Sequence, residues 1–203
     1  MSNDAPNSMT PGGSAEFVPE MPDRSLFPLE FYIDTNRINA RRGLPHMNQL
    51  EKWHRNRVIS IQMAEEAHDE AIRGNNPDRE RKARSYIYST VAPDMQTQYR
   101  HIRKEIEDIL FPSGAQTPSQ VNDVRIVFNA AYYWSILVTN DGDSSTQPNG
   151  ILGNRDKLAK YVQVMRDSEA VELVKEEIRQ RDKRAWKVAS MTGQPLPEWV
   201  GND

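Results

Sequence analysis

Short apolar runs alternate with helical patterns through the middle of this chain, and that alternation limits the fold more than any other feature. Leu29–Ile33, Arg57–Gln62, Ser135–Thr139 and Tyr161–Met165 each read as a strand. Between them, Met47, Leu50 and Trp53 fall on one helical face, and Met63–Arg73 continues as a helix that stops near Gly74 and Pro77. Arg79–Thr90 reads as a basic helix. Met95, Tyr99, Ile102, Ile106 and Ile109 recur at helical spacing after Pro93. Thr117-Pro118-Ser119-Gln120 is a capping box with proline at the first helical position. Ser168 is placed to cap a last long helix carrying Val171, Val174, Ile178 and Ala185. Strands separated by helices in this way predict an α/β fold with a central parallel sheet covered on both faces.

The flanks differ from this middle. Residues 1–27 are rich in Pro, Gly, Ser and Asn and predict a flexible arm. Residues 28–190 form the predicted domain, and residues 191–203 a tail with two prolines and Trp199. The 203 residues suit one domain with extensions. With no cysteine, disulfides, thiolate metal sites and cysteine nucleophiles are excluded. A net charge of −3 gives no global positive field, so an anionic partner would need local Arg and Lys clusters. The N-terminus lacks a secretory pattern, and no run approaches the roughly 18 apolar residues of a membrane span. A cytoplasmic protein without a membrane partner is the expectation.

Four acidic residues stand where the chain leaves a strand or runs along an adjoining helix: Asp34 in FYIDTN, Glu70 in AEEAHDEA, Asp123 in NDVRIVFNAA and Asp141 in LVTNDGD. Each alone has an ordinary explanation. Asp34 suits a helix cap, and Asp123 complements a helix dipole. Glu70 belongs to a solvated acidic face, and Asp141 suits a turn. Their joint placement carries the argument, because ligands of an open parallel sheet bind beyond the carboxyl ends of its strands. Carboxylates gathered there repel one another unless a cation neutralises them. Hard ions such as Mg²⁺ take oxygen ligands of this kind.

On FYIDTN and NDVRIVFNAAYYWSILVTND the chain resembles the PIN-domain nucleases, which include the ribonuclease toxins of toxin–antitoxin pairs. The resemblance spans about Leu29 to Lys183. It implies a three-layer αβα PIN-like fold and a metal-dependent endoribonuclease using Mg²⁺ or Mn²⁺. It further implies metal-ligand roles for Asp34, Asp123 and Asp141, with Glu70 as the best match for the remaining position and Glu66 its rival one turn earlier. Asp143 is a candidate additional ligand. Asn36 and Thr139 are similar to the polar residues that accompany the family's site, and Arg37 and Arg41 are candidate phosphate contacts. RNA is the implied substrate; an antitoxin protein and a second copy of the chain are candidate partners. A structure-specific DNA nuclease and a non-cleaving PIN-like scaffold are the competing readings.

Three further features read as structural. His46, His54, His68 and His101 lack zinc-type spacing. The run Arg79, Arg81, Lys82 and Arg84, broken by Glu80, reads as a charged helix more readily than as a nucleic-acid contact. Tyr132, Tyr133 and Trp134 read as core rather than as base-stacking residues.

Overall fold

The computed structural model describes residues 19–142 and 149–203. In chain order its strands are β1 (Glu30–Ile33), β2 (Ser60–Ala64), β3 (Ile87–Ser89), β4 (Ile136–Val138) and β5 (Val164–Met165). Its α-helices are α1 (Pro45–Arg55), α2 (Glu65–Arg73), α3 (Pro77–Ala83), α4 (Pro93–Gln98), α5 (Arg100–Leu110), α6 (Pro118–Tyr132), α7 (Arg155–Leu158) and α8 (Asp167–Thr192). The strands form one sheet in the order β3-β2-β1-β4-β5. Every neighbouring pair is parallel. Helices flank the sheet: α1 packs on α8, while α2, α5 and α6 are joined by α2–α6 and α5–α6 contacts. The arrangement is consistent with a three-layer αβα sandwich.

The central strand shows why a sheet of this kind forms. Phe31, Tyr32 and Ile33 on β1 are all fully buried. A strand covered on both faces gains from apolar residues at every position rather than at alternate ones. Ile61 and Met63 on β2 and Leu137 and Val138 on β4 extend that core to either side. Strand order reverses direction between β1 and β4, so the crevice beyond their carboxyl ends is a topological switch point.

Local chemistry sets the ends of several elements. The Thr117 hydroxyl accepts from Gln120 N at 3.3 Å and Gln120 Oε1 accepts from Thr117 N at 3.2 Å, which is the predicted capping box. Helix α8 begins one residue before Ser168. Its N-cap is Arg166, whose N–H donates to Glu169 Oε2 at 2.7 Å, so Ser168 lies inside the first turn. Gly193, at φ +73°, ends that helix in the left-handed conformation glycine tolerates best.

Four expectations are corrected. The basic helix stops at Ala83, where Ser85 Oγ donates to Lys82 O at 2.6 Å, and Ile87–Ser89 form edge strand β3 instead of more helix. The sheet thus has five strands rather than four. Strand β2 begins at Ser60, because Arg57 at φ +60° and the Val58 N–H bond to Trp53 O at 2.9 Å complete the exit from α1. The helix expected from Pro93 to Ile109 breaks at Tyr99 into α4 and α5. Trp134, expected in the core, sits at φ +56° in the turn before β4 and is 92% exposed.

Of the N-terminal arm, residues 1–18 lie outside the described residues. Leu26 is buried, and its N–H bonds to Val58 O at 2.7 Å. The C-terminal tail folds back on α8: Arg181 is buried against the Trp199 ring, 4.1 Å from its centroid, and pairs with Asp182 at 2.7 Å. Among the described residues no helix is long and apolar enough to cross a membrane.

Candidate active site

The switch point between β1 and β4 fixes two of the four acidic residues through the backbone alone. Asp34 is the first residue after β1, and its N–H donates to Val138 O on β4 at 3.0 Å. Asp141 follows β4 by three residues. Helix α6 must descend past the sheet to deliver the chain to β4, so its first half, with Asp123, belongs to the carboxyl edge. Helix α2 leaves the same edge directly after β2, and Glu70 is in its second turn.

Asp34 is buried and heavily hydrogen-bonded. Its Oδ2 accepts from Thr139 Oγ1 and from Asn36 Nδ2, each at 2.6 Å. Thr139 Oγ1 also accepts from Asn36 Nδ2 at 3.2 Å and from Asp141 N at 3.0 Å. Asn36 Oδ1 in turn accepts from Asn140 N at 3.1 Å. Thr139 and Asn36 therefore tie the residue after β1 to the segment after β4. These donors are neutral. Burial pushes the Asp34 carboxyl from its ordinary 3.8 up to about 6, against the Thr139 and Thr35 hydrogen bonds, with Asp141 and Glu70 adding to the rise.

Asp123 is the least engaged of the set. Its carboxylate has no hydrogen bond or ion pair among the described residues. Burial pushes its carboxyl up to about 7, helped by the negative charges of Asp34, Asp141 and Glu70 in that order. All the charged neighbours acting on it are carboxylates. Glu70 accepts a hydrogen bond from Thr35 Oγ1 at 3.2 Å, which directs it toward Asp34. Its rival Glu66 instead accepts from Asn129 Nδ2 at 2.8 Å, a residue whose own Oδ1 holds Val91 N. Glu66 thus serves an internal hydrogen-bond chain.

Asp141 anchors the loop that follows β4. Its Oδ2 accepts from Ile151 N at 2.9 Å and its carbonyl from Leu152 N at 2.8 Å. The loop base is pinched between two glycines. A β-carbon at Gly142, which also has φ +86°, would lie 2.5 Å from Gly150 Cα; one at Gly150 would lie 2.6 Å from Asp141 Oδ2. No larger residue fits either position without moving the backbone that presents Asp141. Asp143 lies outside the described residues.

The basic residues proposed beside the site are differently employed. Arg37 pairs with Asp167 at 3.3 Å and donates to Asn36 Oδ1 at 3.0 Å, so it braces the Asn36 side chain. Arg41 is exposed and pairs loosely with Asp78 at 3.7 Å. Arg79 donates to Thr35 O, locking α3 against the turn after Asp34. That bond, and the buried Thr35 hydroxyl on Glu70, are parts of the site that the sequence did not disclose. The adjacency of Thr35 to Asp34 was the only available signal.

The donor set suits a hard cation: it offers carboxylate oxygens, and none of Asp34, Glu70 and Asp123 has an ion-pair partner among the described residues. The oxygens are not gathered as a finished cage, since among the described residues no three His, Asp or Glu side chains stand at ligating distance of one point. Burial is the main cause of the raised Asp34 and Asp123 carboxyls, and the negative charges of their acidic neighbours add to it. Comparison with family models, curated proteins and solved structures gives no match for this chain.

Proposed function

We propose that the chain is a PIN-type endoribonuclease whose Asp34, Glu70, Asp123 and Asp141 hold Mg²⁺ or Mn²⁺ against an RNA phosphodiester. The observation that carries this reading is that Asp34, Asp141 and Glu70 all act on Asp123 beside the switch point, where burial first and these negative neighbours second push Asp123 up to about 7, and where neither Asp34 nor Asp123 has a cationic partner among the described residues. RNA as the substrate comes from the family resemblance. A bound divalent ion would supply a water of lowered pKa and offset charge on the phosphate. The chain's own residues do the rest. Thr139 and Asn36 hold Asp34 in one orientation, and Thr35 directs Glu70 to the same side. Asp123, without a hydrogen bond among the described residues, can turn toward an arriving cation or hold a proton when none is present. Hydrolysis would leave a 5′ phosphate and a 3′ hydroxyl.

The absence of a finished cage favours one other reading, a PIN-like scaffold that does not cleave. Both are tested by incubating the pure protein with labelled single-stranded RNA and DNA in Mg²⁺, Mn²⁺ or EDTA. Metal-dependent RNA cleavage that is lost in Asp34→Asn and Asp123→Asn supports the nuclease. Cleavage of DNA alone moves the substrate to DNA. No cleavage of either, with an intact fold, supports the scaffold.

A further inference from the structure

Away from the acidic crevice, a polar cavity of about 350 Å³ opens between α1, α3 and the loop before α1, lined by Arg42, Asn48, Glu51, Arg55 and Lys82. Three cations face one carboxylate there, a formal charge of +2. The carboxylate is already satisfied on both oxygens. Glu51 Oε2 pairs with Lys82 Nζ at 2.7 Å, and Oε1 accepts from Tyr86 OH at 2.5 Å. Burial, reinforced by Glu51, raises the Tyr86 phenol and keeps it a donor. The excess charge therefore belongs to Arg42 and Arg55. Neither guanidinium has an ion pair or a hydrogen bond among the described residues.

The cavity wall is also built to hold its shape. Arg42 adopts φ +54°, a conformation uncommon for a residue with a β-carbon. Asn48 Nδ2 holds it there by donating to Arg42 O at 2.9 Å. Buried Asn39 in turn donates to Asn48 Oδ1 at 2.8 Å and accepts from Leu44 N at 3.1 Å. A ladder of asparagines thus fixes an unfavourable backbone at a residue with an unpaired charge. Strain of this kind concentrates at ligand clamps.

We propose that this cavity binds a phosphate monoester group. Two unpaired guanidiniums match the nearly dianionic charge of a terminal phosphate near pH 7, and arginine's planar fork suits phosphate oxygens. Lys82 also lines the cavity, held on Glu51, and Asn48 braces the Arg42 backbone. The group belongs either to the 5′ end of a nucleic-acid strand or to a small phosphomonoester, and the test separates the two. The proposal does not depend on the nuclease reading, because the cavity needs neither metal nor cleavage.

The test uses the full chain in EDTA at fixed ionic strength. Calorimetry measures AMP and adenosine, and anisotropy measures a short 3′-labelled oligoribonucleotide with a 5′ phosphate or a 5′ hydroxyl. The phosphorylated ligand of each pair should bind about tenfold tighter or better than its partner. Arg42→Gln and Arg55→Gln should each remove about that factor without lowering the melting temperature, since both side chains are exposed and without a partner among the described residues. Preference for the 5′-phosphorylated strand over AMP identifies a strand end. Binding of AMP but of neither strand identifies a small phosphomonoester. Equal binding of phosphorylated and unphosphorylated ligands overturns the proposal, as does failure of every phosphorylated ligand to bind. Undiminished binding by the folded Arg42→Gln, Arg55→Gln double variant overturns it too.

Discussion

Asp34 and Glu51 are both buried carboxylates, yet their surroundings are opposite. Glu51 has its charge answered inside the protein, by Lys82 at 2.7 Å and Tyr86 at 2.5 Å. Asp34 receives only neutral donors, and the charges that act on it come from Asp141 and Glu70. A carboxylate that serves the fold is neutralised by the fold. One that leaves its charge unanswered among others of its kind is where we propose that a cation binds. This contrast underlies the functional proposal, and mutations at the two places should behave differently.

The largest difference is expected in cleavage. Asp34→Asn should lower metal-dependent RNA cleavage by roughly a hundredfold or more, because it removes a ligand charge with little change of shape. Glu51→Gln should leave turnover per folded molecule near wild type. Equal losses in the two variants, measured on protein of matched melting temperature, would erase the distinction.

Stability should show the reverse order. Lys82→Met strands the Glu51 charge and should destabilise the fold by about 2–3 kcal/mol, below the value for a fully buried pair because Lys82 is partly exposed. Asp123→Asn removes a half-buried carboxylate's desolvation cost and, secondarily, its repulsion by acidic neighbours, and should stabilise the metal-free protein by about 1 kcal/mol, the figure allowing for solvent screening. Urea unfolding in EDTA measures both. Destabilisation by Asp123→Asn would mean that the acidic crevice is structural after all.

The smallest effect is in pH. Asp34 and Asp123 bind protons more tightly folded than unfolded, their carboxyls rising from 3.8 to about 6 and about 7. Their contribution is greatest when they are protonated, and it is lost as pH rises from about 4 through 7. Exposed acids such as Glu169 are held low and act in the opposite sense. The informative quantity is therefore the difference between wild type and the Asp34→Asn, Asp123→Asn double variant. In EDTA that difference should move in favour of the double variant between pH 5 and pH 7.5. A difference independent of pH would show that the two carboxyls titrate as ordinary surface acids.

How much of this was legible in the sequence depends on whether a signal was local. The capping box at Thr117, the strand into Asp34 and the strand before Asp141 were readable, because propensity and pattern agree there. Strand β3 was not, since its three residues follow a helical run and gain strand character only by pairing with Gln62–Ala64. Placement of the acidic residues at one sheet edge followed from strand ends and crossovers. The resemblance preferred Glu70 to Glu66, but the contacts that distinguish the two, with Thr35 and with Asn129, lie far apart in sequence. Glu51 was invisible for the same reason. Within α1 it is one polar residue among several, and its burial is created by Lys82 and Tyr86.

On the proposed reading, Asp34, Glu70, Asp123 and Asp141 together bind a divalent cation. Titrating the metal-free protein with Mn²⁺, while following the paramagnetic resonance of the free ion, tests it without requiring a substrate. Wild type should deplete the free-ion signal saturably, more strongly at pH 7.5 than at pH 5.5 as Asp34 and Asp123 release their protons. The Asp34→Asn, Asp123→Asn double variant should leave the signal near that of buffer. Equal depletion by wild type and the folded double variant, or none by wild type at millimolar Mn²⁺, would contradict the account.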